Sequence, residues 1–196
     1  YSTIDIDYGF YNNAQNIFKE SLNTVQDLEY PLTDFQRILW KNLKLDKDII
    51  TIAPTSAGKT HIILTYLVRQ ILLSDGAFAA IVVPTRALIS EVANKVYEIS
   101  KSFNSEREIE ICTVPKDTNF KDKTIFVMTQ ERLYEVLQSG DLSFNYLFID
   151  EAHNISDPSR GVLLHLTIDK LLENSLPQII LSMPSDSYKN SFSSIF

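Results

Sequence analysis

The chain has 196 residues, 44% hydrophobic and 22% charged, the composition of an ordinary globular domain that buries a core without staples. Its 18 basic and 25 acidic residues leave a net charge of −7, which argues against a surface that grips nucleic acid everywhere and allows only a local basic groove. The single cysteine, Cys112, excludes a disulfide scaffold, and no apolar run approaches the ~18 residues that span a bilayer. With no leader pattern after Tyr1, the expected setting is intracellular: cytoplasmic, or nuclear in a eukaryote, with no membrane partner. A first residue other than methionine and a Ser/Asn-rich end, Ser185 to Phe196, suggest a piece of a longer protein.

In chain order, Phe10 to Leu28 carries Ile17, Phe18, Leu22, Val25 and Leu28 at helical spacing. This predicts an amphipathic helix, which Tyr30-Pro31 ends. Residues 1–29 are thus expected to be a helical lead-in and 30–196 the main domain. Thr33 or Asp34 can cap a second helix that carries Phe35, Ile38, Leu39 and Leu43. Strands are then predicted at Asp48 to Ala53, Phe78 to Val83, Ile109 to Val114, Thr124 to Met128, Tyr146 to Ile149 and Gln178 to Leu181. Helices are predicted at Lys59 to Leu73, Ala87 to Phe103, Gln130 to Leu137 and Gly161 to Leu172. This alternation predicts an α/β domain of three layers with a mostly parallel sheet. Runs such as Ile81-Val82-Val83 and Leu147-Phe148-Ile149 suit strands covered on both faces. In such sheets ligands bind beyond the carboxyl ends of the strands.

Beyond the first strand stands Ala53-Pro54-Thr55-Ser56-Ala57-Gly58-Lys59-Thr60. It fits a phosphate-binding loop in all but its first position, where alanine replaces glycine. Gly58 lets the backbone turn its amides toward an anion, and the helix that follows adds its positive end. Lys59 supplies a mobile charge for terminal phosphates, and the Thr60 hydroxyl is a hard ligand for magnesium. The competing reading is a helix start with a chance Gly-Lys-Thr. Beyond the strand at Tyr146 stand Asp150-Glu151-Ala152-His153. A nucleotide hydrolase needs one carboxylate to hold magnesium and another to orient the attacking water. A solvated acidic turn is the alternative here. A zinc site at His153 lacks partners, since His61 and His165 are the only other histidines and no cysteine pair accompanies them.

With these motifs in order, the chain resembles the superfamily 2 nucleic-acid helicases of the DExH/DEAD-box type. The loop string is similar to that of the Ski2-like branch. Gln36, 23 residues before Lys59, resembles the glutamine that reads adenine. Pro84-Thr85-Arg86-Ala87-Leu88 and Thr129-Gln130-Glu131-Arg132-Leu133 look like the two motifs that touch a nucleic-acid backbone. Leu181-Ser182 stands where the family's Ser-Ala-Thr motif begins. The resemblance implies the first RecA-like, ATP-binding domain of a helicase, with ATP and Mg2+ as ligands. Thr55, Ser56, Ala57, Gly58, Lys59 and Thr60 would then bind the nucleotide, with Gln36 at its base. Thr60 and Asp150 would hold the metal, with Glu151 as the water-orienting base. His153 and Ser182 would couple ATP turnover to movement, and Thr85, Arg86 and Thr129 would contact one strand of DNA or RNA.

The resemblance also implies a second RecA-like domain of the same protein, with an arginine finger, that does not follow within the 196 residues. Ser182-Met183-Pro184 lacks the family's alanine and threonine, so its hydroxyl network is incomplete. An adaptor of the same fold with little turnover is therefore the second reading. A kinase or transporter ATPase is the third. Several residues also have plainer readings. Thr85 can be simply a helix cap and Gln36 a solvated helix residue. Phe35 and Trp40 read as core anchors, Cys112 as a buried thiol, His61 and His165 as packing or surface residues, and Glu106, Glu108 and Glu110 as a solvated face.

Overall fold

A computed structural model of the chain describes residues 25, 28, 30–105, 107–114, 119–139, 142–153 and 161–184. Of the expected lead-in helix only Val25 and Leu28 fall among them; the rest lies outside, as does Glu106. Among the described residues are five α-helices and six strands, alternating except where β3 is followed by β4. They are α1 (Asp34–Leu43), β1 (Ile49–Ile52), α2 (Lys59–Leu73), β2 (Ala77–Val82), α3 (Arg86–Ser102), β3 (Glu110–Cys112), β4 (Lys123–Met128), α4 (Gln130–Ser139), β5 (Tyr146–Ile149), α5 (Gly161–Asn174) and β6 (Gln178–Met183). The strands form one sheet in the order β1-β6-β5-β2-β4-β3, and every pairing is parallel.

The reason for two helical layers is visible in the strands themselves. Ala79, Ile81, Ile125, Val127, Phe148 and Ile180 pack on one face with residues of α1, α2 and α3. Ala80, Val82, Phe126, Met128, Leu147, Ile149, Leu181 and Met183 pack on the other with residues of α4 and α5. Side chains alternate sides along a strand, so a strand that is apolar throughout must be covered twice. α2 lies deepest. Ile62, Ile63, Leu64, Leu67, Val68 and Ile71 are all sealed from solvent, because α1, α3 and the sheet surround it.

α1 starts where Thr33 accepts the Gln36 N–H while the Gln36 side chain accepts the Thr33 N–H, a reciprocal cap. Leu39, Trp40 and Leu43 face inward, with Trp40 edge-on to Tyr66 at 6.1 Å, and Phe35 is partly buried against the same core. Ile38 is 55% exposed. It stands about 160° from Trp40 around the helix, so those two cannot share a face. β3 is shorter than Ile109 to Val114, and β6 runs two residues further than expected, which places Ser182 and Met183 inside the sheet. Glu108 is exposed, while Glu110 accepts the Lys121 N–H at 2.9 Å. The Cys112 thiol is buried beneath the sheet edge.

Gln178 ties three elements together. Its amide nitrogen donates to the Leu43 and Lys47 carbonyls, and its oxygen accepts the Tyr66 hydroxyl at 3.0 Å. On the opposite face Phe126 sits among Phe78, Phe120 and Phe144, with ring centroids 4.8–5.8 Å from its own. Replacing this fully buried ring, Phe126→Ala, is expected to lower unfolding stability by about 3–5 kcal/mol. Urea titration followed by tryptophan fluorescence reads this as an earlier midpoint. A loss under about 1 kcal/mol would mean that this cluster is not part of a packed core.

Candidate active site

The phosphate-loop sequence begins as β1 ends. Ala53 is buried and its N–H donates to the Met183 carbonyl, anchoring the loop to β6. Thr55–Ala57 makes one tight turn and Gly58 follows with φ of +74°, a left-handed conformation that favours glycine. A Cβ at Gly58 would lie 2.5 Å from Gln36 Nε2. Gln36 is therefore no solvated helix residue: besides capping α1, it donates from Nε2 to the Ala57 carbonyl at 3.3 Å. Lys59, the first residue of α2, is 3% exposed. Its ammonium donates to the Ala53 and Pro54 carbonyls, so it is folded back over its own loop. These are neutral acceptors, and an anionic oxygen would add the attraction of its own charge for the ammonium.

Because the order of the sheet is β1-β6-β5, the acidic turn lies two strands away on the same edge. Asp150 Oδ2 accepts the Thr60 hydroxyl at 3.3 Å and Oδ1 accepts the Glu151 N–H at 3.1 Å. Ser182, on the strand between, also hydrogen-bonds to this carboxylate. Burial pushes the Asp150 carboxyl above its ordinary value; these hydrogen bonds and the Lys59 charge act against that shift. Glu151 is half-buried and has φ of +54°, a left-handed conformation that is uncommon without glycine. His153 Nδ1 lies 3.2 Å from Glu151 Oε2, out of line for a hydrogen bond.

The donor set suits a magnesium ion. Thr60 Oγ1 and Asp150 Oδ2 are hard oxygens already in contact, and the buried carboxylate has negative charge to share with a cation. Among the described residues no three His, Cys, Asp or Glu side chains gather as a metal cluster, so the zinc reading of His153 finds no support. His61 and His165 are both exposed.

The residues expected to touch a strand of nucleic acid divide. Thr85 occupies the N-cap of α3 without a capping hydrogen bond from its side chain, and both it and Arg86 are exposed. Thr129 is different: it is 4% exposed and its hydroxyl points inward, away from bulk solvent. Sequence reasoning did not foresee the Ala53 and Pro54 carbonyls as the resting place of Lys59, since a main-chain carbonyl leaves no mark in a sequence. Nor did it foresee the left-handed backbone at Glu151, where the usual signal, glycine, is absent.

The family model described as DEAD/DEAH box helicase matches residues 33–183. Over 145 residues the chain is 28% identical to the ATP-dependent DNA helicase Hel308 of Methanocella arvoryzae, covering 70% of this chain and 19% of that protein. Over 137 residues it is 31% identical to the ATP-dependent RNA helicase DBP3 of Vanderwaltozyma polyspora, covering 61% of this chain and 25% of that protein. The chain thus spans about a fifth to a quarter of these relatives. The fold is shared with a DEAD box protein from Methanococcus jannaschii, at a TM-score of 0.59 and 22% identity, over 92% of this chain and 48% of that one. The yeast DEAD-box splicing factor Prp28 shares it with a TM-score of 0.65 and 21% identity, over 82% and 42%.

The raised Asp150 pKa has a consequence for stability. A folded-state pKa above the unfolded one favours the fold while the acid is protonated, and that advantage is lost as pH rises through the folded value. Asp150→Asn cannot titrate. Its nucleotide-free melting temperature is expected to gain on the wild type as pH rises from the ordinary carboxylate range to neutrality. A gap between the two melting temperatures that is flat with pH would contradict the burial of this charge.

Proposed function

Since the chain belongs to the DEAD/DEAH box helicase family, we propose that it is the first RecA-like motor domain of an ATP-dependent helicase or translocase acting on DNA or RNA. In this reading residues 30–196 form the motor domain and residues 1–29 lead into it. The observation that carries the reading is the 3.3 Å contact between Thr60 and Asp150, which joins two motifs 90 positions apart.

Each residue then has a task. The amides of Thr55 to Gly58 face the phosphates at the start of α2. Lys59 leaves the Ala53 and Pro54 carbonyls for the terminal phosphates, and Gln36 contacts the base while steadying the loop through Ala57. Thr60 and Asp150 hold the magnesium that accompanies the triphosphate and neutralises its charge. Glu151 orients the attacking water and takes its proton, with His153 beside its carboxylate. Thr85 and Arg86 meet the nucleic-acid backbone from the exposed start of α3. A second RecA-like domain would add an arginine finger, worth orders of magnitude in rate. The 196-residue chain alone should therefore bind ATP weakly and hydrolyse it slowly. The adaptor reading draws on Met183 and Pro184 where the family has alanine and threonine; the hydrogen bond of Ser182 to Asp150 weighs against it.

Equilibrium binding of a fluorescent ATP analogue, with and without magnesium, tests the site. Lys59→Ala is expected to weaken magnesium-dependent binding by about tenfold or more, as the loss of a charge-assisted contact implies. Undiminished binding would count against the proposal. In a protein that carries both motor domains, Glu151→Gln should keep binding yet lower nucleic-acid-stimulated hydrolysis by about 10² or more. Stimulated hydrolysis that survives this change would rule out Glu151 as the base.

A further inference from the structure

Thr129 is poorly placed to meet a nucleic-acid strand and well placed to do something else. It directly follows β4 and its main-chain carbonyl starts α4 by accepting the Leu133 N–H at 3.0 Å. Its hydroxyl is buried and has no hydrogen-bond partner among the described residues. A buried hydroxyl is costly unless something satisfies it. Thr129 borders a cavity of about 30 Å³ whose other walls include Val83, Gln130, Glu131, Asp150, Glu151 and Leu164. That volume admits a water or two, provided that polar partners surround it. Thr129 supplies one such partner, and the acidic turn supplies others.

The cavity sits over the end of β2, and the strands on either side of β2 carry its two polar walls. Val83 N–H donates to the Met128 carbonyl at 2.9 Å, and Asp150 N–H donates to the Val82 carbonyl at 3.0 Å. These bonds hold Thr129 and the Asp150–Ala152 turn at a set separation, with the cavity between them. The turn needs bracing, since Glu151 keeps a left-handed backbone without glycine. Ala152 is buried beneath it; around the cavity Val83 and Leu164 are aliphatic, while Thr129, Gln130 and Glu131 bring polar groups from the start of α4. We propose that Thr129 is a positioning residue of the ATPase centre: its hydroxyl holds an ordered water in this cavity, and the water braces the turn that carries Asp150 and Glu151. The consequence for turnover rests on the function proposed above; the water site itself does not.

Valine has the shape of threonine without the hydroxyl, and serine keeps the hydroxyl, so Thr129→Val and Thr129→Ser separate packing from hydrogen bonding. High-resolution crystal structures of the chain should show a water within hydrogen-bond distance of Thr129 Oγ1 that disappears in Thr129→Val. The nucleotide-free melting temperature should fall in Thr129→Val and recover in Thr129→Ser. In a protein with both motor domains, Thr129→Val should lower kcat by about tenfold, the usual scale for a residue acting through another, with KM for ATP unchanged and Thr129→Ser restoring the rate. A dry cavity, or a melting temperature that rises in Thr129→Val, would overturn the proposal. So would a Thr129→Val enzyme whose kcat at saturating nucleic acid is unchanged and whose nucleic-acid affinity alone is weakened. Absence of ATP hydrolysis in the wild-type two-domain protein would defeat the proposed function, and the water and melting readouts would still decide the site.

Discussion

The hydrogen bond from Thr60 to Asp150 is possible because every strand of the sheet points the same way. In a parallel sheet each strand delivers its following loop to one edge, so residues distant in the chain meet there without any special connection. The order β1-β6-β5 adds the detail that matters. It puts a single strand between the lysine-bearing loop and the acidic turn, and that strand carries Ser182 one position beyond the Ile149–Leu181 pair, level with Asp150. The cost of sequestering the Asp150 carboxylate is offset by donors from all three stretches: Thr60, Ser182 and the Glu151 backbone.

The rest of the molecule keeps those loop ends in register. α2 is packed on nearly all sides, which fixes the direction in which Lys59 and Thr60 leave its first turn. Gln178 binds the base of β6 to the end of α1 and to Tyr66 of α2, so the strand with Ser182 and the helix with Thr60 share one polar anchor. Gln36 reaches the same loop from α1, where its cap on Thr33 holds the side chain ready. In the proposed function, the lysine held on two neutral carbonyls inside such a frame exchanges them for a phosphate.

Much of this was legible in the sequence, and the reasons are physical. Strands covered on both faces read as unbroken apolar runs, which is why β2 and β5 stand out, and the β5 bounds come directly from Tyr146 and Ile149. α2 declares itself by apolar residues on most sides. Strand order leaves no such trace, because pairing partners are chosen by three-dimensional packing; that β6 separates β1 from β5 emerges only from the fold. That Ile38 lies outside while Leu39 and Trp40 lie inside leaves no trace either, because hydrophobicity alone does not say which side of a helix the core takes. The resemblance made Thr129 a nucleic-acid contact; that its hydroxyl is buried cannot be read from residue type.

In the proposed function, two stretches of chain hold one magnesium-bound triphosphate between them. A double-mutant cycle on the affinity for the magnesium–nucleotide complex, with Thr60→Val and Asp150→Asn singly and together, tests it most directly. Residues that share one ligand are expected to be coupled, with a departure from additivity of about 1 kcal/mol or more. Losses that sum to within about 0.3–0.5 kcal/mol would mean that the two side chains act independently, and the single shared site would have to be abandoned.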